Sequence, residues 1–425
     1  MSEIILLALL GLLAALLILY FTRGTVIKRI RLIADGVETP AVDTPTFHAT
    51  FTLLTQTQLY PGNTLEPLLN GDGIFPRLWE DLRAARQVIF LHVYYYRPGR
   101  VADQAREVLA ERARAGVKVY VLLDAFGARL DKDYVASLKA AGVQVAVFRP
   151  LRFATLYKVQ QRMHVRLVII DGRVGYSGGF GFADCWLGDG RHPGQWRETG
   201  VRMQGPVVDQ LQVAFIANWA EATGDLLLGS GIISLHDFAP HGRQEAGIMY
   251  SAPSVGSTNV ERFFVLSIAA ARRRLWITNA YFVPSKDFHR LLGDAARRGV
   301  DVRVLAPGAS SDRPSAWYAG RTHYEDLLRA GVRIFEYQPA MIHAKTLVVD
   351  GLWATVGTFN FDNRSMKLNN EVALMVRDRE FGAQLEAAFA ADLDHAREIT
   401  LEEVRKRGWT DRLKENASRL VAPLL

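Results

Sequence analysis

The sequence MIHAKTLVVDGLWATVGTFNFDNRSMKLNNE, residues Met341–Glu371, contains the spacing H-x-K-x4-D, formed by His343, Lys345 and Asp350. The β-branched run Thr346–Asp350 predicts a strand, and residues two positions apart share one face of a strand. One imidazole and one ammonium group therefore point into the same space.

These residue types suit attack on a phosphodiester. A neutral imidazole such as that of His343 can act as a nucleophile or as an acid or base near pH 7. Lys345, Thr358 and Asn360 can donate hydrogen bonds to the non-bridging phosphate oxygens, and the carboxylate of Glu371 can hold the imidazole tautomer. No group of Cys, His and carboxylate residues has metal-ligand spacing, so we expect neither a metal nor another cofactor. Taken alone, His343 could be a core histidine and Lys345 a solvated strand residue, but the whole set favours a catalytic site.

The same pattern occurs a second time, as HVRLVIIDGRVGYSGG in residues 164–179. One offset aligns four pairs of residues: His164 with His343, Arg166 with Lys345, Asp171 with Asp350, and Gly178 with Gly357. The segments upstream also correspond, since AARRGVDVRVLAPG (295–308) resembles ARAGVKVYVLLDAFG (113–127). We therefore predict an internal duplication, in which each half runs strand, helix, strand, helix, strand, and then the strand pair that carries the histidine.

Duplication suggests how the site works. Two facing copies would place both histidines in one cleft, where one attacks phosphorus and the other protonates the leaving oxygen. Lys345 and Arg166 would hold the phosphoryl group between them. The reaction would then pass through a covalent phosphohistidine.

With these motifs the chain resembles the phospholipase D superfamily and, within it, the bacterial cardiolipin synthases. Four other segments carry the resemblance: Gly357–Glu371, Trp196–Val208, Leu68–Tyr96 and Ala422–Leu425. It implies an α/β fold of two tandem phospholipase D-type α/β/α repeats packed as a pseudo-dimer. It also implies transfer of a phosphatidyl group from one phosphatidylglycerol to another with release of glycerol. The resemblance favours His164 as nucleophile and His343 as general acid, while the more complete set of donors in the second copy leaves the reverse assignment open.

The first half departs from the family pattern. Three residues differ: Arg166 stands in place of lysine, Gly181 falls at the position of Asn360, and His92 stands where cardiolipin synthases usually carry glutamate. Arginine keeps the charge but presents a planar fork instead of a point donor. His164 is retained, and Glu198 is the counterpart of Glu371. We expect a working but modified site, and a lipid-binding relative without catalysis is the alternative.

Residues Ile4–Thr22, IILLALLGLLAALLILYFT, are all apolar or small. At about 1.5 Å per residue the run spans roughly 28 Å, close to the hydrocarbon thickness of a bilayer. No basic residue precedes the run and no small-x-small cleavage site follows it, so an N-terminal transmembrane helix fits better than a signal peptide. Basic residues follow the run at Arg23, Lys28, Arg29 and Arg31. They predict a single-pass protein of the cell inner (plasma) membrane with its catalytic body in the cytoplasm.

The chain therefore divides into five predicted parts. They are an anchor (1–24), a linker (25–60) that leads into strands around Thr50–Leu54, a first repeat (61–235), a second repeat (236–400), and a basic amphipathic tail (401–425). The tail suits an anionic membrane surface, and a C-terminal helix docked on the core is an equal alternative. Phe153–Met163 is a basic and aromatic segment that leads to His164. Arg313 and Arg321 are candidate headgroup contacts, or residues of a solvated loop.

The 425 residues carry a net charge of +7, which suits an anionic partner, either phospholipid or nucleic acid. We expect a phospholipid substrate, phosphatidylglycerol, and a membrane. No nucleic acid is expected, because the predicted anchor and the lack of a known nucleic-acid module argue against a nuclease. The alternative function is a phosphodiesterase of the same superfamily with water as acceptor. Neither the acceptor alcohol nor the oligomeric state follows from the sequence.

Overall fold

A computed structural model describes residues 2–22, 39–150, 160–229, 231–233, 241–252 and 259–421. Its strands are β1 (Tyr60–Leu69), β2 (Val88–Val93), β3 (Lys118–Asp124), β4 (Gln144–Phe148), β5 (Leu167–Ile170), β6 (Val174–Gly178), β7 (Trp196–Arg197), β8 (Thr199–Gln204), β9 (Gln244–Ser251), β10 (Arg274–Asn279), β11 (Asp301–Pro307), β12 (Arg333–Tyr337), β13 (Met341–Ile342), β14 (Lys345–Val349), β15 (Trp353–Gly357), β16 (Glu371–Arg377) and β17 (Ala396–Ile399). Its α-helices are α1 (Ser2–Thr22), α2 (Pro45–Thr55), α3 (Asn70–Ala84), α4 (Arg100–Arg114), α5 (Lys132–Ala140), α6 (Pro206–Thr223), α7 (Asn259–Ala270), α8 (Lys286–Arg297), α9 (Pro314–Arg321), α10 (Tyr324–Arg329), α11 (Asn363–Lys367), α12 (Arg379–Leu393), α13 (Leu401–Arg405) and α14 (Trp409–Val421).

Fifteen of the described strands form one sheet in which the same strand order occurs twice. From its centre outward the sheet runs β1, β8, β6, β5, β2, β3, β4 on one side and β9, β16, β15, β14, β10, β11, β12, β17 on the other. Strands that correspond in sequence therefore take the same place in each half. The halves join where β1 lies antiparallel to β9. This arrangement confirms the predicted duplication.

Each motif ends in a tight turn that its Asp-Gly pair allows. Asp350 and Gly351 have φ values of 53° and 67°, and Asp171 and Gly172 have values of 52° and 63°. Positive φ at both central positions is the geometry of a type I′ turn, which glycine and aspartate tolerate best. The turns set the antiparallel pairing of β14 with β15 and of β5 with β6.

The two halves also share a hydrophobic core. One face of the first half packs on α3 and α4, and one face of the second half packs on α7 and α8. A third cluster joins Phe215 of α6 and Phe90 of β2 to Val356 and Leu374 of the second half. Because this cluster draws residues from both halves, it fixes one half against the other.

The strands predicted around Thr50–Leu54 are wrong, since this part of the predicted linker is helix α2. Thr44 caps the helix by accepting the N–H of Phe47 at 3.2 Å. Phe47 and Phe51 are buried, with ring centroids 5.4 and 4.6 Å from that of Trp353. The helix is rich in Thr and Phe, which have weak helix propensity, so its stability comes from this packing against the second half.

The N-terminal helix α1 has exposed apolar side chains where they are described, at residues 4–17. Among the residues that the structure describes, no helix is both long and apolar enough to cross a membrane. Several predicted features fall wholly or partly outside the described residues: the basic residues Arg23–Arg31, the first part of Phe153–Met163, and Ala422–Leu425.

Candidate active site

Two short backbone pairings bring the histidines of the two halves together. Strand β13 runs parallel to β7, and Met163 forms the equivalent bridge with Asn370. The N–H of His343 donates to the carbonyl of Arg197 at 2.7 Å, and the N–H of His164 donates to the carbonyl of Asn370 at 2.8 Å. Each histidine is therefore held by the residue that precedes the glutamate of the other half.

The glutamates exchange partners between the halves. Glu371 accepts from Nδ1 of His164 at 2.9 and 3.0 Å, and Glu198 accepts from Nδ1 of His343 at 2.7 Å. All four side chains are buried. The sequence suggested Glu371 as the residue that orients His343, whereas the structure pairs it with His164. With Nδ1–H donated to a carboxylate, Nε2 is the ring atom of each histidine that can act on a substrate.

In the site without substrate, burial and nearby cations favour the neutral form of both imidazoles. Desolvation, followed by the charges of Arg166 and Lys345, lowers the pKa of His164 well below its ordinary value. Desolvation and Lys345 also lower the pKa of His343, against the opposing effect of Glu198. A neutral imidazole is the form that can attack phosphorus.

The two glutamates differ in their ionisation. Burial raises the pKa of Glu371 to about 7, although hydrogen bonds from Ser365 and Asn369 oppose the rise. Burial also acts against ionisation of Glu198, but the hydrogen bond from His343 and nearby positive charge outweigh it and hold its pKa at about 2. Glu198 is therefore the carboxylate better able to stabilise a protonated histidine.

Two cations predicted from the motifs lie in the site. Nζ of Lys345 is 3.2 Å from both ring nitrogens of His343, and burial lowers the pKa of Lys345 to about 7. Arg166 is 3% exposed, and among the described residues its Nε and Nη1 have no hydrogen-bond partner. Buried donors without partners are costly. They are therefore available to an anionic ligand, which arginine binds with charge-assisted hydrogen bonds.

His164, His343 and Arg166 line one cleft of about 260 Å³, and Lys345 contacts His343 without forming part of the cleft wall. Around His343 the wall is aromatic, with the ring centroids of Trp196 and Tyr281 at 4.9 and 6.1 Å from that of the imidazole. The ring centroid of Tyr94 lies 4.9 Å from that of His164, so both imidazoles have aromatic neighbours. The lining also includes the polar side chains of Asn360, Asp362 and Arg364.

Asp171 and Asp350, predicted as catalytic, lie at the other end of the motif strands and do not line the cleft. The carboxylate of Asp350 accepts the N–H groups of residues 272–274 at 2.8–3.0 Å, and that of Asp171 accepts those of residues 86–88 at 2.7–2.9 Å. At about 3.3 Å per residue, roughly 20 Å of strand separates them from the histidines. Both carboxylates fix the backbone where the chain enters β2 and β10. The catalytic role predicted for Asp171 and Asp350 is therefore corrected to a structural one.

The two predicted phosphate donors have different places. The hydroxyl of Thr358 donates to the carbonyl of Val372 and accepts its N–H, both at 3.0 Å, so it supports the strand of Glu371 and does not line the cleft. Asn360 does line the cleft, and its Oδ1 has no partner among the described residues. Only Asn360 is therefore positioned to contact a ligand.

The first half supports its glutamate with a tryptophan. At the offset that aligns the copies, Trp186 corresponds to Ser365. Nε1 of Trp186 donates to Glu198 at 3.3 Å, and Oγ of Ser365 donates to Glu371 at 2.7 Å. Different side chains thus serve the same purpose in the two halves.

Gly181, at the position of Asn360, is required by its surroundings. A Cβ atom there would lie 2.6 Å from the carbonyl oxygen of Tyr95 and 3.0 Å from the ring of Trp186. The amide donor is missing from the first half because Tyr95 and the indole leave no space for a side chain.

Sequence reasoning missed Asp312 as a cleft residue. Its carboxylate accepts the hydroxyl of Tyr281 at 2.8 and 3.0 Å, and burial raises its pKa. Arg313 lines the cleft, as one alternative for it predicted, whereas Arg321 pairs with Glu336 elsewhere. The Ser-, Asp- and Arg-rich composition of residues 310–322 was the available signal.

Two imidazoles, one to attack phosphorus and one to carry a proton, together with buried cations suit transfer of a phosphoryl group by nucleophilic and acid–base chemistry. In the described part of the chain, no group of three or more His, Cys, Asp or Glu side chains could hold a metal ion.

Comparisons with known proteins agree with this chemistry. Residues 78–219 and 265–393 match the family model described as "Cardiolipin synthase, PLD-like domain". The chain is 35% identical to a cardiolipin synthase of Geobacillus kaustophilus over 360 residues, which cover 84% of this chain and 72% of that protein. It is 34% identical to cardiolipin synthase A of Pseudomonas putida over 365 residues, which cover 85% and 75%. Its fold is similar to that of phosphatidylserine synthase from Haemophilus influenzae, with a TM-score of 0.68 and 14% identity over 89% of this chain and 100% of that one.

Proposed function

The chain belongs to the cardiolipin synthase family with PLD-like domains, and we propose that it converts two phosphatidylglycerol molecules into cardiolipin and glycerol through a phosphatidyl-histidine intermediate. The observation that carries the proposal is the pair of histidines, each oriented by a glutamate of the other half, that face one cleft beside Arg166 and Lys345. The relatives named above are cardiolipin synthases, which supports a phospholipid substrate and a phosphatidyltransferase activity.

In the first step, Nε2 of His164 attacks the phosphorus of one phosphatidylglycerol. The bond between phosphorus and the headgroup glycerol oxygen breaks, and protonated His343 gives its proton to that oxygen. Arg166 and Lys345 donate to the non-bridging oxygens as charge moves onto them. The products are glycerol and a phosphatidyl group on His164.

The different glutamates support this division of roles. A general acid must carry a proton before the reaction, and the fully ionised Glu198 stabilises that form of His343. Without substrate the pKa of His343 lies well below its ordinary value. The anionic phosphodiester adds negative charge to the cleft and raises this pKa again, so substrate binding favours the protonated form that the first step needs. A nucleophile must be neutral, which suits His164 beside Glu371, whose own pKa is about 7.

In the second step, a glycerol hydroxyl of another phosphatidylglycerol attacks the phosphatidyl-histidine. His343, now neutral, removes the hydroxyl proton, and the bond between phosphorus and nitrogen breaks to release cardiolipin. Asp312 supports an alcohol acceptor, because a carboxylate in a cleft lined by cations accepts hydroxyl groups and repels phosphate.

We also propose that α1 anchors the enzyme in the inner (plasma) membrane, with its catalytic body in the cytoplasm. The apolar sequence of Ile4–Thr22 and the exposure of the α1 leucines support a lipid environment. The basic residues after Thr22 support the orientation. Release of the protein from membranes at alkaline pH would contradict the anchor.

Lipid mass spectrometry on the purified protein in phosphatidylglycerol vesicles tests the activity. The wild type should form cardiolipin and glycerol, and His343→Ala should form neither, because the first step needs His343 as an acid and the second needs it as a base. His241→Ala is the matched control, since this histidine lies on an exposed loop before β9. Asp312→Asn should shift the product from cardiolipin toward phosphatidic acid, because the acceptor alcohol then binds more weakly and water competes with it for the phosphatidyl group.

Two results would contradict the proposal. Phosphatidic acid as the main product of the wild type would indicate a phospholipase that uses water. Cardiolipin formation that persists in His343→Ala would remove the histidine pair from the mechanism.

A further inference from the structure

The C-terminal helix α14 packs on the protein through its polar side. Glu415, which is 4% exposed, accepts hydrogen bonds from Arg407 and from Arg321 at 3.4 Å. Lys414 places its ammonium 5.6 Å from the ring centroid of Tyr318 on α9. Amphipathic surface helices normally turn their apolar stripe toward the core, and α14 has the opposite orientation.

The apolar side of α14 faces outward. Trp409 is 76% exposed and Leu413 is 61% exposed. At 3.6 residues per turn these side chains lie about 40° apart around the helix axis, and their mean direction is roughly 140° from that of Glu415. An exposed tryptophan and leucine on one helix face form an apolar surface that needs a partner.

Basic residues flank this apolar face. Arg412, Lys414 and Arg419 are exposed on α14, whereas its two acidic residues, Asp411 and Glu415, are half-buried and buried. A helix with Trp and Leu on one side and Lys and Arg beside them is typical of segments that lie in the interface of an anionic bilayer. A second copy of this face would bring like charges together, which disfavours it as the partner.

Helix α9, on which α14 packs, also forms part of the cleft wall. Arg313, immediately before α9, and Ala316 within α9 line the cleft, and Tyr318 and Arg321 of the same helix hold α14. The position of α14 on a bilayer would therefore fix the position of one wall of the cleft.

We infer that α14 lies in the surface of an anionic phospholipid bilayer, with Trp409 and Leu413 inserted below the headgroups, and holds the cleft mouth at the membrane. This contact is additional to any anchor at α1. The link to the cleft rests on the proposed function, but insertion of α14 does not, and it is measurable without turnover.

The direct test uses the full chain in vesicles that contain phosphatidylglycerol. Cys185, the single cysteine, is changed to serine, and an environment-sensitive fluorophore is attached to Leu413→Cys. Val213→Cys on α6 is the matched control, because Val213 is equally exposed at 63%. We expect nitroxide-labelled lipid to quench the probe at 413 and aqueous iodide to leave it unaffected, with the reverse at 213.

Two outcomes would overturn the inference. Quenching by iodide at 413 as strong as that at 213 would mean that the face remains in water. Protection of the probe at 413 from both iodide and nitroxide lipid would mean that protein, such as a second copy, covers the face.

A double variant tests the consequence for activity. Trp409→Ser with Leu413→Ser should lower turnover of long-chain phosphatidylglycerol in vesicles roughly tenfold, because it removes the inserted side chains. Turnover of a short-chain, water-soluble phosphatidylglycerol should stay as in the wild type, and Val213→Ser should change neither. Equal losses on both substrates would contradict a membrane role, and an unchanged rate on vesicles would contradict the link between α14 and the cleft.

Discussion

At the scale of single residues, the site depends on contacts that cross between the halves. The spacing of the two motifs predicted His164, His343 and their neighbouring cations, because these residues sit on predicted strands. It could not predict that Glu371 serves His164 and Glu198 serves His343. That exchange follows from β13 pairing with β7, a contact between segments far apart in sequence.

Lys345 should set the alkaline limit of activity. Burial lowers its pKa to about 7, so the free enzyme loses this cation as the pH rises through 7. The pH dependence of kcat/KM reports the free enzyme. In Lys345→Arg the guanidinium stays charged, so the alkaline decline should move to higher pH, while the maximum rate falls by roughly tenfold or more.

Lys367→Arg is the control for that profile, since Lys367 pairs with Glu261 at 3.6 Å outside the cleft. It should reproduce the wild-type curve. An unchanged alkaline decline in Lys345→Arg would show that another group sets the limit.

We expect the buried His92 to lower the free energy of unfolding. It is fully buried in β2, neither ring nitrogen has a hydrogen-bond partner among the described residues, and burial lowers its pKa to about 3. Below pH 6.5 the unfolded chain binds a proton at this residue that the folded chain does not, so the free energy of unfolding falls as the pH drops from 6.5 toward 3. His92→Leu should raise the free energy of unfolding by about 1–3 kcal/mol at pH 7.5, and by more at pH 5.

Denaturant unfolding at the two pH values measures this effect. His241→Leu, at an exposed loop position, should leave the free energy of unfolding unchanged. Equal or lower stability of His92→Leu at both pH values would contradict the prediction.

At the scale of elements, the strand predicted from the β-branched run Thr346–Asp350 is confirmed as β14 (Lys345–Val349), and tertiary packing explains what was missed. The strands that carry the motifs end at Asp-Gly turns with positive φ, which the sequence itself encodes. Helix α2 has only its start, Thr44 followed by Pro45, as a local signal. The burial of Phe47 and Phe51 depends on residues of the second half such as Trp353, some 300 residues later. Each interpretation of the basic tail is met in part. Helix α14 packs on α9, as a docked C-terminal helix would, and it exposes Trp409, as a membrane-surface segment would.

Position 181 should not tolerate asparagine, the residue that the second half carries at the equivalent position, Asn360. Gly181→Asn would put Cβ 2.6 Å from the carbonyl oxygen of Tyr95, so it should lower the free energy of unfolding by about 1–3 kcal/mol. Adding Trp186→Ser should not restore stability, because the closest clash is with backbone.

Gly194→Asn is the matched control in denaturant unfolding. Gly194 has a φ of 84°, a Cβ atom there would have open space for 4 Å around it, and asparagine tolerates positive φ. This substitution should cost much less than Gly181→Asn. Wild-type stability of Gly181→Asn would contradict the steric explanation for glycine in this loop.

At the scale of the whole molecule, duplication produced a single site. The halves share one sheet, one hydrophobic cluster and two crossed histidine–glutamate pairs, so neither half contains a complete site. The repeat in the sequence predicted two facing copies. It did not predict their asymmetry, in which Trp186 donates to Glu198 in the first half and Ser365 donates to Glu371 in the second.

The most direct test of the central claim is to trap the covalent intermediate. Purified protein is mixed briefly with phosphatidylglycerol, quenched under conditions that preserve phosphohistidine, digested, and analysed by peptide mass spectrometry. We expect a phosphatidyl group on the peptide that contains His164, and none in His164→Ala. A phosphatidyl group on the His343 peptide would reverse the assigned roles, and cardiolipin formation without modification of either histidine would contradict the two-step mechanism.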